Sequence, residues 1–230
     1  MRTVRVEPPE LGSVDGLAYA RFRAEGAAAP RGGVVVLHGA GSCKESHFDF
    51  ARLCRAAGLE AIAFDQRGHG DSDGALGAGA VEDVARIAGL LAPGPVALRG
   101  SSMGGFMALV AGARLEAAAV VAICPAGSEQ LRRGLRDAEF DFRADAAGLD
   151  ALLEVADERA AAEALGTRLL LLHAEGDERV PVAGSRELHA RAAGSRLVTV
   201  PGGHHRSVQH DGELQALALR FIERALPPAA

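Results

Sequence analysis

The pattern Gly-x-Ser-x-Gly occurs twice, as Gly70-Asp-Ser72-Asp-Gly74 and as Gly100-Ser-Ser102-Met-Gly104. A serine hydroxyl becomes a nucleophile when a neighbouring base takes its proton and a third group orients that base. The pattern alone is weak: 29 glycines and ten serines in 230 positions give about 0.16 matches by chance. Context has to separate the copies. A nucleophile on a sharp turn needs a strand directly before it and a helix directly after it. Ser102 has both, with Val96-Ala-Leu98 ahead and the helical stretch Met103–Leu115 behind. Ser72 lies between Gly68-His-Gly70 and Gly74-Ala-Leu-Gly77, which reads as a loop. The bland alternative for Ser102 is a Gly-rich chain reversal with no chemistry.

The base and the acid should follow later strands. Arg196–Val200 runs into Pro201-Gly-Gly-His204-His205, and Arg168–His173 runs into Ala174-Glu175-Gly176-Asp177. Ser102, Asp177 and His205 then stand in the order nucleophile, acid, base. The residues themselves leave Glu175 open as a rival acid and His204 as a rival base. An oxyanion needs backbone donors, and Val34–Leu37 leads into His38-Gly39-Ala40-Gly41. The N–H groups of Ala40 and Met103 are the natural pair. His38, directly before these glycines at a strand end, reads as a structural hydrogen-bonding residue and not as a base.

The elements that must position these residues alternate. Strand stretches are expected at Leu17–Arg23, Gly33–Leu37, Leu59–Phe64, Val96–Leu98, Ala118–Ile123, Arg168–His173 and Arg196–Val200. Helical stretches fall between them at His47–Ala57, Ala80–Leu91, Met103–Leu115 and Val182–Ala193, with Asp211–Leu226 last and Pro227-Pro228 stopping it. This is the signature of an α/β fold: a mostly parallel sheet with helices on both faces and ligands at the carboxyl ends of the strands. Between Pro125 and Gly166 the alternation breaks. Two amphipathic helices, roughly Ser128–Ala138 and Leu149–Ala164, fit there, and residues 126–166 read as a small lid inserted in a single domain spanning 1–230.

Composition bounds the function. Lys plus Arg is 25 and Asp plus Glu is 30, a net charge of −5 with no basic stripe, so nucleic acid is not an expected partner. With no Trp and one Tyr, Tyr19, an aromatic stacking surface is not expected either. No run of 18 uncharged apolar residues suggests a membrane span, and Met1–Pro9 lacks the apolar centre of a signal peptide. Cys43, Cys54 and Cys124 are odd in number and far apart, which suits a reducing cytoplasm. Gly39-Ala-Gly-Ser-Cys-Lys44 lacks the flanking residues of a phosphate loop, and His204, His205 and His210 lack partners at metal-ligand spacing. No metal and no organic cofactor is expected.

Taken together, His38-Gly-Ala-Gly41, Asp65-Gln-Arg-Gly-His-Gly-Asp-Ser72, Gly100-Ser-Ser-Met-Gly-Gly105, Gly176-Asp-Glu-Arg-Val-Pro181 and Pro201-Gly-Gly-His-His205 resemble the α/β-hydrolases. The likeness is to the small esterase-like group that includes carboxylesterases and feruloyl esterases. It spans about Gly33–Gln209. The resemblance implies an eight-stranded, mostly parallel sheet with a lid after the sixth strand. It implies Ser102, Asp177 and His205 as triad, because a Gly-Gly pair, one variable residue and then histidine is the family order. It implies the Ala40 and Met103 amides as oxyanion hole, and it makes Asp65–Ser72 a structural loop. The implied reaction is hydrolysis of a small or medium carboxylic ester. A thioesterase or acylaminopeptidase uses the same machinery, and a ligand receptor with a retained triad is the non-catalytic alternative.

Overall fold

The computed structural model describes residues 7–25 and 30–227. Met1–Val6 and Pro228, which figured in the sequence reading, lie outside the described residues. Among the described residues, eight strands form one sheet: β1 Glu10–Val14, β2 Leu17–Phe22, β3 Gly33–Leu37, β4 Glu60–Phe64, β5 Val96–Ser101, β6 Ala119–Ile123, β7 Leu169–Ala174 and β8 Arg196–Val200. Their spatial order is β1-β2-β4-β3-β5-β6-β7-β8. The β1–β2 and β2–β4 pairings are antiparallel, and every pairing from β4 through β8 is parallel.

The central strands are apolar on both sides because helices cover both faces. In β3, Val35 and Leu37 join one core cluster while Val34 and Val36 join the other. The first cluster takes in α2 (Ala80–Ala88) and α3 (Met103–Arg114), with Val84, Ile87, Phe106 and Leu109 buried. The second takes in α1 (Phe48–Ala56) and α8 (Gly212–Ala225), with Phe50, Cys54, Ala218 and Ile222 buried. α7 (Val182–Arg191) returns the chain from β7 to β8 on the first face, where Leu188 is buried.

β1 has no counterpart in the sequence expectation. It is an edge strand with a half-exposed pattern and a glycine and serine within it, so it carries no apolar signal. The segment after β6 also differs. It holds three helices instead of two: α4 (Ser128–Arg136), α5 (Ala146–Val155) and α6 (Glu158–Leu165). The expected helix Leu149–Ala164 is broken at Asp157, whose carboxylate accepts the Arg159 and Ala160 N–H groups and starts a new helix. α6 packs on α3 and buries Ala161, Ala162 and Leu165 in the main core. It is the crossover helix from β6 to β7, so the part that stands over the sheet edge is α4, α5 and the loop between them.

That loop is pinned to the segment after β4. Leu76 pairs with Ala144 in a parallel bridge, and Arg143 N–H donates to the Gly68 carbonyl at 3.2 Å. Phe142 stacks on His69 with ring centroids 4.3 Å apart.

Candidate active site

β5 ends at Ser101 and α3 begins at Met103, so the whole change of direction falls on Ser102. Its backbone has φ 55° and ψ −120°, a conformation costing about 1–3 kcal/mol that the surroundings must impose. They impose it through three hydrogen bonds. Ser102 N–H donates to the Ile123 carbonyl at 2.9 Å, and the Ser102 carbonyl accepts from Phe106 and Ala126 N–H at 3.1 and 3.2 Å. The flanking glycines are steric necessities. A Cβ on Gly100 would stand 2.0 Å from the Gly104 carbonyl oxygen, and one on Gly104 would stand 2.4 Å from that of His38.

The turn after β7 organises Asp177. Its Oδ1 accepts the Arg179 and Val180 N–H groups at 2.9 and 2.8 Å, and its Oδ2 lies 2.8 Å from His205 Nδ1. Burial alone raises the Asp177 pKa, but the Val180 and Arg179 amides and His205 outweigh it and hold it below the ordinary carboxylate value. Asp177 is therefore ionised at neutral pH. It takes the proton on His205 Nδ1 as a hydrogen bond and leaves Nε2 as an acceptor.

Two residues behind Asp177, Cys124 and His173, were given no site role by the sequence. Cys124, directly after β6, has φ 43° and donates its N–H to the Leu172 carbonyl at 2.8 Å. Cys124, His173 and Asp177 place ligand-type atoms within 4.8 Å of one another. His173 is already committed, with Nε2 2.9 Å from the Val180 carbonyl oxygen and Nδ1 2.7 Å from Ser185 Oγ. Burial pushes the Cys124 thiol up to about 12, so it stays protonated. The group packs around the carboxylate as a neutral wall. The one sequence signal was a cysteine and a histidine at the carboxyl ends of adjacent strands.

Ser102 and His205 line one cavity of about 620 Å³. Its floor is Gly39–Ser42 and Ser101, and its side is Glu178, Arg179 and Val180. Gln130, Leu131 and Gly134 of α4, with Glu139, Phe140 and Asp141 beyond it, form the roof. Gln130 Nε2 donates to the Arg179 carbonyl at 2.5 Å, tying roof to side wall. Among the described residues, the N–H groups of Ala40 and Met103 have no hydrogen-bond partner. Met103 N–H belongs to the first turn of α3, where such a donor is normally left open.

The rival candidates lie elsewhere. Glu175 is exposed and pairs with Arg186 at 3.0 Å. His204 is exposed, and its Nδ1 faces the Arg206 N–H at 3.3 Å. His210 Nδ1 meets Asp49 Oδ2 at 2.9 Å, away from His205's partner. His38 is fully buried. Its Nε2 accepts the Gln66 N–H at 3.0 Å, its Nδ1 faces the Gly39 carbonyl oxygen at 2.8 Å, and burial lowers its pKa to about 4. Ser72 spends its hydroxyl on structure: Oγ donates to the Asp65 carbonyl at 2.6 Å and accepts from Ala18 N–H at 2.9 Å.

This architecture agrees with what the chain is similar to. A family model described as "Alpha/beta hydrolase family" matches residues 34–165, more than half of the chain. The chain belongs to the alpha/beta hydrolase family. A second model, described as "TAP-like protein", matches residues 151–229. No curated protein matches by sequence. Among solved structures, Est1E from Butyrivibrio proteoclasticus with ferulic acid bound superposes with a TM-score of 0.70 at 19% identity, covering 94% of this chain and 97% of that one. A monoacylglycerol lipase from Paleococcus ferrophilus gives 0.69 at 23% identity, covering 91% and 98%. A soluble variant of the Saccharomyces cerevisiae monoglyceride lipase gives 0.72 at 16% identity, covering 99% of both. These likenesses concern the fold. The eight-stranded, mostly parallel sheet expected from the sequence is the one this hydrolase has. Among its described residues, no helix is long and apolar enough to cross a membrane.

Proposed function

We propose that this hydrolase is a serine hydrolase acting on small or medium carboxylic esters through an acyl-enzyme. The observation that carries the reading is the conjunction of a strained Ser102 with the 2.8 Å His205–Asp177 pair at one cavity. Ser102 Oγ attacks the acyl carbon while His205 Nε2 takes its proton. The carbonyl oxygen becomes an oxyanion and is received by the Ala40 and Met103 N–H groups. His205 then gives its proton to the leaving alkoxide, which departs as the alcohol. Water enters, His205 takes its proton, and the new hydroxyl displaces Ser102 Oγ, which recovers that proton from His205 as the acid is released. Asp177 keeps the imidazole in the tautomer this cycle needs and stabilises its charged form.

The cavity volume suits a small or medium ester. The structural neighbours, a ferulic-acid complex and two acylglycerol lipases, point to the same substrate class. α4, α5 and the loop between them act as the lid in this reading, a smaller one than residues 126–166, because α6 packs on α3 as the crossover helix. The three cysteines are free, which supports a cytoplasmic setting.

The test pairs a fluorophosphonate probe with turnover of p-nitrophenyl esters of increasing acyl length. The expected result is labelling at Ser102 and turnover that falls beyond medium chains. Labelling without turnover of any ester would overturn the ester reading, and no labelling at Ser102 would overturn the serine-hydrolase reading.

A further inference from the structure

Three positions before Ser102, β5 carries a residue that its surroundings do not explain. Arg99 points to the face covered by α1 and α8, beside Ala97, and is 1% exposed. Its contacts are neutral. The Phe50 ring lies 4.1 Å from Cζ, His47 Nδ1 lies 3.4 Å from Nη1, and the Gln209 carbonyl oxygen accepts from Nη2 at 2.8 Å. Among the described residues it has no carboxylate partner, and Nε has no hydrogen-bond partner. Burial lowers its pKa to about 10, which still leaves it charged at neutral pH. A buried cation with no counter-ion at salt-bridge distance, offset only by the more distant charge of Asp49, is a stability loss that an apolar side chain would avoid.

The single strong bond of that cation goes to the loop bearing His205. Gln209 lies four residues beyond His205 and lines the same cavity. The near end of the loop is held to the β7 turn, where Gly176 N–H donates to the Gly202 carbonyl at 2.8 Å. The far end is held at Gln209. Gln215 Nε2 adds a second, longer bond of 3.1 Å to the same carbonyl and reaches Asp49 Oδ2 at 2.6 Å.

We propose that Arg99 is a positioning residue that ties the His205 loop to the strand ending in Ser102, so that one rigid strand sets the separation of nucleophile and base. The inference rests on the reading of Ser102 and His205 just given. Guanidinium chemistry suits the task. Its planar face lies on Phe50 while its edge donates to a carbonyl, which a lysine ammonium does not reproduce.

The experiment compares the wild-type protein with Arg99→Met, Arg99→Lys and Gln215→Leu. Thermal unfolding, kcat and KM for p-nitrophenyl acetate, and the rate of fluorophosphonate labelling are measured for each. Arg99→Met is expected to fold with an unchanged or raised Tm. Its kcat and labelling rate should fall about tenfold to a hundredfold, as displacement of a reacting group by about an ångström does, with KM within about threefold. Arg99→Lys should recover part of the loss, and Gln215→Leu should show a smaller one. A folded Arg99→Met with kcat within about twofold of wild type overturns the proposal. So does a loss of kcat that simply follows a loss of Tm across the set. If Arg99→Met does not fold, wild-type kcat in both Arg99→Lys and Gln215→Leu overturns it, and a lowered kcat at constant KM and Tm in both supports it. A wild-type protein inert to both ester and probe overturns the serine-hydrolase reading, and the positioning role falls with it.

Discussion

At Ser102 the chain arrives from β5, turns within one residue and leaves as α3. At Ser72 the same five-residue pattern sits in a loop that connects β4 to α2. The first serine has φ 55° and a hydroxyl facing a cavity, while the second is 2% exposed and makes two short hydrogen bonds to backbone. The loop also has its own task. A Cβ on Gly68 would stand 2.0 Å from the Arg143 carbonyl oxygen, so this stretch is the platform on which the roof segment rests. A motif of this kind acquires chemistry from the elements on either side of it.

The sharpest test of that contrast is the matched pair Ser102→Ala and Ser72→Ala. Ser102→Ala should lower kcat by about 10⁴-fold or more without changing Tm, because only a solvent-facing hydroxyl is lost. Ser72→Ala should keep kcat within about threefold but cost about 2 kcal/mol in urea unfolding, since it orphans the Asp65 bond and the Ala18 N–H. Similar kcat losses in both would break the distinction.

The adjacent histidines repeat the contrast over one residue. His205 meets Asp177 at 2.8 Å, whereas His204 is exposed. His205→Asn should lose several orders of magnitude in kcat for an activated ester, and His204→Asn should change it by less than about tenfold. A collapse confined to His204→Asn would move the base by one residue.

The last glycines of the two motifs differ in what confronts them. Gly104 faces the His38 and Leu37 carbonyls at 2.4 and 2.6 Å, whereas Gly74 has only the flexible Arg67 side chain, at 3.7 Å, and a φ of 77°. Gly104→Ala is expected to cost about 3 kcal/mol or more, because backbone must move. Gly74→Ala should cost about 1 kcal/mol, the strain of a left-handed residue. Equal losses in thermal melts would show that the elbow is no tighter than the loop.

A further difference concerns His38, which links the oxyanion turn to the loop through Gln66. Its folded pKa is about 4, against about 6.5 unfolded. The unfolded chain therefore binds a proton first, and stability falls as pH drops from about 6.5 towards 4. His38 alone accounts for about 2 kcal/mol of loss between pH 7 and 4.5. Urea titrations at the two values check it; an unchanged midpoint would mean that His38 is not held neutral.

Much of this was legible beforehand. β3 and β8 span the stretches read as strands, Gly33–Leu37 and Arg196–Val200, and α3 starts directly after Ser102, because the local period of apolar residues decides strand or helix. β5 runs on to Ser101 through Arg99 and Gly100, since register with β3 and β6 holds those residues extended whatever their polarity. β1 was silent because an edge strand needs no apolar face. The break at Asp157 was readable in principle from its capping carboxylate, but the apolar spacing on both sides continued across it.

The sequence by itself determined the alternation of strands and helices, the elbow at Ser102, and the edge of the sheet where chemistry would gather. Those follow from neighbours a few residues apart. Only the tertiary structure shows that Asp177 and His205 are the pair in contact while Glu175 meets Arg186 and His204 is exposed, and which groups hold Ser72 and Arg99. Each of these depends on a partner tens of residues away: 28 between Asp177 and His205, 110 between Arg99 and Gln209. Side-chain type does not encode which of two adjacent loop residues faces inward. That is settled when the glycine turns at Gly202 and Gly203, both at positive φ, and the buried anchor at Gln209 fix the path of the loop between them.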